Sequence, residues 1–237
     1  MKVTIYNENI IHLQFPNQKE LTMTMCRAQE FYECNSDKLR GKIFTFEEFI
    51  DHYVDKEGYF NYFSFWSGFN ISGPMLEDFF ELFDLTDREK ELRKVTNKFK
   101  KKLYYVICTR VSDKVTLDHE LIHAHYYLNP VYKQEVDVLI RHMDKDVRKK
   151  LVKELKDWGY AAHVINDEIN AYMSTSSHKY LIEELDLTVS KEDMKPFVNL
   201  ARKILRGSYS GNTLAFQARA RGSIPLPRSN IKRLYVR

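Results

Sequence analysis

Thr116-Leu-Asp-His119-Glu120-Leu-Ile-His123-Ala-His-Tyr-Tyr-Leu128 is the stretch on which the reading of this chain turns. Its apolar residues recur at helical spacing, and Pro130 follows to end the run. On a helix, His119 and His123 stand on one face, one turn apart. That spacing lets both imidazoles reach a single tetrahedral zinc, with Glu120 beside the first of them, poised over a water at the metal.

Outward from this helix the pattern is mixed α+β. Upstream, Leu103–Val111 is rich in β-branched and aromatic residues and predicts a strand. An extended peptide could pair along it as an edge strand. Downstream, helices are expected over Val131–Met143, Asp146–Trp158, His163–Met173 and Ser190–Leu205, the second of them stopping at Gly159. The first 25 residues predict three short strands, Val3–Tyr6, Ile10–Phe15 and Leu21–Met25. Thr45-Phe-Glu-Glu48 is a capping-box pattern that opens a helix to about Val54. Residues 59–72 are dense in aromatics, read as core, and end in turn signals. Pro74 suits the first turn of a helix over Met75–Phe83, and a further helix runs from Thr86-Asp87 into the basic Lys98–Lys102 run. Gly207, Gly211, Gly222, Pro225 and Pro227 predict an irregular end. No Gly/Pro/Ser-rich linker divides residues 1–200. They are read as one α+β unit, with an N-terminal lobe (1–100), a core (101–200) and a basic segment beyond (201–237).

The chain has 237 residues, 43% hydrophobic and 30% charged, a composition that excludes a disordered protein. It contains no run of 18 apolar residues, and its start lacks the apolar core of a signal peptide, so a protein with no membrane span is expected. Cys26, Cys34 and Cys108 form no CxxC pair, and the expected setting is the reducing cytoplasm. The charge is uneven: nine of the 37 basic residues fall in 201–237, and all 33 acids precede that segment. Such a segment could bind nucleic acid or an acidic partner, or dock on its own acidic body.

A catalytic zinc needs a third protein ligand and an open position. Glu168, within Tyr160-Ala-Ala-His-Val-Ile-Asn-Asp-Glu168-Ile-Asn-Ala-Tyr172, is the candidate. Over residues 103–175 the chain resembles HExxH zinc metallopeptidases of gluzincin type, in which a second helix carries a glutamate to the metal. It looks nearest to the anthrax-lethal-factor-like group, in which a tyrosine shortly upstream of that glutamate points into the site. The metzincin pattern fails, because it needs glycine at 126 and histidine at 129, where this chain has Tyr126 and Asn129. Thermolysin-like gluzincins carry an aspartate four residues after the glutamate ligand; here Tyr172 stands there.

The resemblance implies a zincin-like core, one Zn2+ per chain on His119, His123 and Glu168, and hydrolysis of a peptide or protein substrate. Glu120 would be the general base. Tyr160, with Tyr172 as the alternative, would donate to the oxyanion. Asp167 and Asn170 are candidate supports for the zinc ligands. Asp167 also rivals Glu168 as ligand, and His163 is a further alternative. His125 points to another face and is read as structural, and Cys108 as a buried, inert thiol. Other functions remain open: a nucleic-acid-associated protein with a structural metal, a binding module on an inactive zincin, or a zinc amidohydrolase acting on non-peptide substrates.

Overall fold

Two strands open the chain, β1 (Lys2–Ile5) and β2 (Ile10–Phe15). The Asn7 side chain tightens the turn between them, accepting the Asn9 and Ile10 N–H groups at 2.9 and 2.8 Å. The computed structural model describes residues 1–100, 103–183, 186 and 189–207. The irregular end beyond Gly207 and most of the basic segment therefore lie outside the described residues, as do Lys101 and Lys102 of the basic run.

The expected third strand, Leu21–Met25, is instead part of α1 (Gln18–Glu33). Asn17 starts that helix by accepting the Glu20 N–H at 2.9 Å. Leu21, Met25 and Ala28, all fully buried, then fall at helical spacing. Five residues are too few to separate period two from period 3.6, and the capping asparagine decides.

Next come α2 (Phe46–Glu57), α3 (Tyr62–Phe65), β3 (Gly68–Ser72), α4 (Gly73–Leu82) and α5 (Asp87–Thr96). The Thr45/Glu48 capping box is present, and α2 runs past Val54 until Gly58 ends it at φ 79°. β3 was not expected. Gly68, Asn70 and Ser72 read as turn formers, yet they share one face of the strand while Phe69 and Ile71 fill the other. The chain continues through β4 (Tyr105–Arg110), α6 (Lys114–Leu128), α7 (Pro130–His142), α8 (Lys145–Asp157), α9 (Ile165–Thr175), α10 (His178–Glu183) and α11 (Lys191–Leu205).

The four strands lie in the order β1-β2-β4-β3. β2 runs parallel to β4 with Ile10 opposite Tyr105, and β3 runs antiparallel to β4 with Ser72 opposite Tyr105. The expectation that Leu103–Val111 is an edge strand is corrected: β4 is interior, and β3 closes that end of the sheet. Strands from both sides of residue 100 thus share one sheet.

One sheet face buries Ile11, Leu13, Phe69, Ile71, Val106 and Cys108 against α1, α2 and α4. The opposite face sets Ile10, Tyr105 and Ile107 against Leu121, Ala124 and Leu128 of α6. Behind α6, a helical layer of α7, α8, α9 and α11 packs around Ile122, Tyr132, Leu155, Ile169 and Phe197. Each fully buried Leu, Ile or Phe contributes roughly 1.5–3 kcal/mol. Among the described residues no helix is long and apolar enough to cross a membrane.

One ion pair ties the first layer together. Arg27 on α1 donates to Glu89 on α5 through Nε at 2.9 Å and again through Nη2, and caps the Asp84 carbonyl at 2.9 Å. Glu89 is 1% exposed. Replacing Arg27 by alanine leaves that carboxylate buried without its cation, and the expected loss is about 3–5 kcal/mol. Chemical denaturation of the variant measures it.

Candidate metal centre

The motif helix is set by its ends. Asp113 caps α6 by accepting the Thr116 N–H at 3.1 Å, and Arg110, at the end of β4, holds Asp113 at 2.8 Å. At the far end, Asn129 closes α6 and starts α7, accepting the Val131 and Tyr132 N–H groups at 3.1 Å. Between these stops, Leu121, Ala124 and Leu128 seat α6 on the sheet while Ile122 faces the helical layer. His119, Glu120 and His123 are thereby held between sheet and α9, and α9 brings Asp167 and Glu168 to meet them.

One donor atom each from His119, His123 and Glu168 lies within 4.8 Å of the others. His123 Nε2 is 3.8 Å from Glu168 Oε1. The His119 ring is anchored from behind by a hydrogen bond, and the His123 ring is faced by an acid. The Thr175 hydroxyl gives its proton to the Ala171 carbonyl at 2.7 Å, so its oxygen accepts from His119 Nδ1 at 3.1 Å. That fixes the tautomer of His119 with a lone pair on Nε2. His123 Nδ1 lies 3.1 Å from Asp167 Oδ1, which turns Nε2 toward Glu168. Glu168 Oε2 is buried with no hydrogen-bond partner among the described residues. Two oriented imidazoles and a carboxylate with unused lone pairs could hold a divalent ion, and this donor set suits zinc.

The charges around the group are strongly perturbed. Burial pushes Glu168 up to about 8 and Glu120 up to about 7, with His123 pulling both back. Burial also raises Asp167 against the pull of His123. Burial alone would lower His123, but Asp167 and Glu168 outweigh it and hold the imidazole protonated well above its usual range. His119 moves the other way, pushed far down by burial and by the neighbouring His123. A fourth carboxyl, Glu33 at the end of α1, is raised by burial and then by Glu168; the Gln29 amide donates to it. Clustered buried carboxylates are costly, and a cation held beside Glu168 would offset part of that cost.

The other expected residues fall as follows. Tyr160 is buried, with its hydroxyl 3.4 Å from that of Tyr172. Burial and Glu168 push the Tyr160 phenol far up, so it stays an O–H donor. The Tyr172 ring packs 5.0 Å from His119. Asn170 does not support the ligands: its carbonyl oxygen accepts from Tyr132 at 3.1 Å. His163 lies before α9 against the Tyr32 ring and is not one of the three residues whose donor atoms converge. His125 is pushed down to about 4 by burial. Cys108 is fully buried with its thiol pushed up by burial.

The sheet also contributes to the site, through residues that carry no motif. Asn70 on β3 donates to Glu120 Oε2 at 2.8 Å, and Tyr105 on β4 donates to Asn70 Oδ1 at 2.5 Å. Gly68 lets Glu120 approach: a Cβ there would collide with Glu120 Oε1 and with the Thr116 methyl. The available signal was the period-two spacing of Gly68, Asn70 and Ser72 around two large apolar residues. Compared with protein families, curated proteins and solved structures, the chain has no match.

Proposed function

We propose that this protein is a zinc-dependent hydrolase of metallopeptidase type, acting on a peptide or protein. The observation that carries the proposal is the convergence of His119, His123 and Glu168 within 4.8 Å, with Glu120 buried one residue from the first of them. The arrangement is consistent with a zincin-like core, in which a strand leads into the motif helix and a later helix supplies the glutamate.

A zinc ion bound there supplies Lewis-acid polarisation of a carbonyl and lowers the pKa of a water. The protein's own groups do the rest. Thr175 and Asp167 keep the two imidazoles oriented. Glu120 takes a proton from the attacking water and passes it to the leaving amine. Tyr160, kept protonated, donates to the oxygen on which charge develops, with Tyr172 beside it. An extended substrate that lengthens the sheet would do so alongside β3, which has no second strand partner among the described residues.

Metal analysis of the purified full-length chain is expected to find about one zinc per molecule. Proteomic cleavage profiling, with Glu120→Gln protein as the control, is expected to yield products that only the parent makes. A parent free of zinc after purification and after reconstitution would end the proposal.

A further inference from the structure

We infer that Asn70 is a positioning residue, whose side-chain amide, which accepts from Tyr105, fixes the Glu120 carboxylate toward the His119–His123–Glu168 group. The inference rests on the metallopeptidase proposal and adds to it a device outside the motif helix.

A glutamate side chain has three rotatable bonds, and a helix position alone does not fix where its oxygens point. Here two strands do. Gly68 and Asn70 are two residues apart on β3, so both face α6. Asn70 Nδ2 donates to Glu120 Oε2 at 2.8 Å, and Glu120 is 5% exposed. An amide can turn over and exchange its oxygen for its nitrogen, which would set an acceptor against the carboxylate. The ionised Glu120 carboxylate, which only accepts, selects the orientation with Nδ2 toward it, and Asn70 Oδ1 then accepts from the Tyr105 hydroxyl at 2.5 Å. Tyr105 is itself buried, wedged between the sheet and α6 with its ring 5.2 Å from Tyr127. The chain Tyr105 to Asn70 to Glu120 therefore has one direction of donation throughout. Its end point is a carboxylate with Oε2 engaged and Oε1 over the bare α-carbon of Gly68.

The role predicts that Asn70 matters only through Glu120. The test uses full-length protein loaded with zinc and titrated calorimetrically with acetohydroxamate. That probe binds zinc through two oxygens and hands its hydroxyl proton to a nearby carboxylate. Asn70→Ala is expected to keep about one zinc per chain and to weaken acetohydroxamate by roughly tenfold, the effect of losing a hydrogen bond to a charged group. Tyr105→Phe keeps the ring and is expected to weaken it in the same direction by less. In a Glu120→Gln background, Asn70→Ala is expected to add nothing, because the group it positions is gone.

An equal further loss in that background, or unchanged affinity in Asn70→Ala, would overturn the role of Asn70 and leave the zinc proposal standing. A parent that binds neither zinc nor acetohydroxamate would sink both. Should Asn70→Ala fail to fold, Tyr105→Phe alone and with Glu120→Gln completes the same cycle.

Discussion

If the protein is the zinc hydrolase proposed above, Glu120→Gln protein is expected to keep its zinc and to lose hydrolytic turnover by about a hundred- to ten-thousand-fold, the contribution of a positioned general base. The substitution is close to isosteric. A glutamine carbonyl can still accept from Asn70, so the seat between β3 and α6 is preserved. What disappears is the capacity to take a proton. A second consequence separates this from misfolding. Burial raises Glu120 to about 7 from an ordinary 4.5. A carboxyl raised on folding costs stability as pH climbs from the unfolded value through the folded one. Metal-free Glu120→Gln is therefore expected to melt at or above its metal-free parent at pH 8, with the gap closing toward pH 4. Thermal melts at the two pH values, with metal analysis and turnover, check the three outcomes. Activity surviving in the variant would place the base elsewhere.

On the same proposal His123→Ala is expected to show the opposite profile, with the metal lost and the fold weakened together. His123 is 2% exposed and is the imidazole that Asp167 and Glu168 both face. Without it two of the three proposed ligands remain, and zinc is expected to fall from about one per chain to about none. In the metal-free state the same ring, protonated, compensates the buried acids. Removing one partner of a buried charge pair costs about 3–5 kcal/mol. The folded value of His123 is raised, so its stabilisation is complete below the ordinary 6.5 and fades as pH rises through the folded value. It also needs ionised carboxylates opposite, so it is lost again in acid. The largest drop in melting temperature for metal-free His123→Ala is expected near neutrality, and a pH series of denaturation curves measures it. Zinc added to the parent should release protons, most of all near neutral pH.

The parts of this molecule that announce themselves in sequence carry their own local physics. The α6 motif, the Thr45 capping box and the Pro130 and Gly159 stops all act within a few residues. Glu168 could be singled out because a catalytic zinc needs a third protein ligand, and it offers a carboxylate on a later helix. The second half of the site was hidden because it depends on register. Asn70 reaches Glu120 only because β3 pairs with β4 so that Asn70 lies opposite Ile107. No local pattern announces that pairing. Leu21–Met25 misleads for a related reason: a short apolar run fits either period, and a single asparagine cap converts it to helix. Glu33 is invisible as a site residue until α1 is seated on the sheet, since nothing in its neighbourhood marks it apart from other helix acids.

The parallel pairing of β2 with β4 sets an order of assembly. Ile10 meets Tyr105, so the sheet under α6 cannot form until the chain between them has been made. Contacts across such a separation form slowly, because loop-closure entropy is lost before any contact offsets it. During synthesis from the N-terminus, β1 and β2 can pair as a hairpin with one side of β2 uncovered. Ile10-Ile-His-Leu-Gln-Phe15, which the finished molecule buries almost completely, is then the stretch of nascent chain most open to wrong partners. A folding defect in this protein is accordingly expected to surface first as aggregation through its second strand, before α6 has been made.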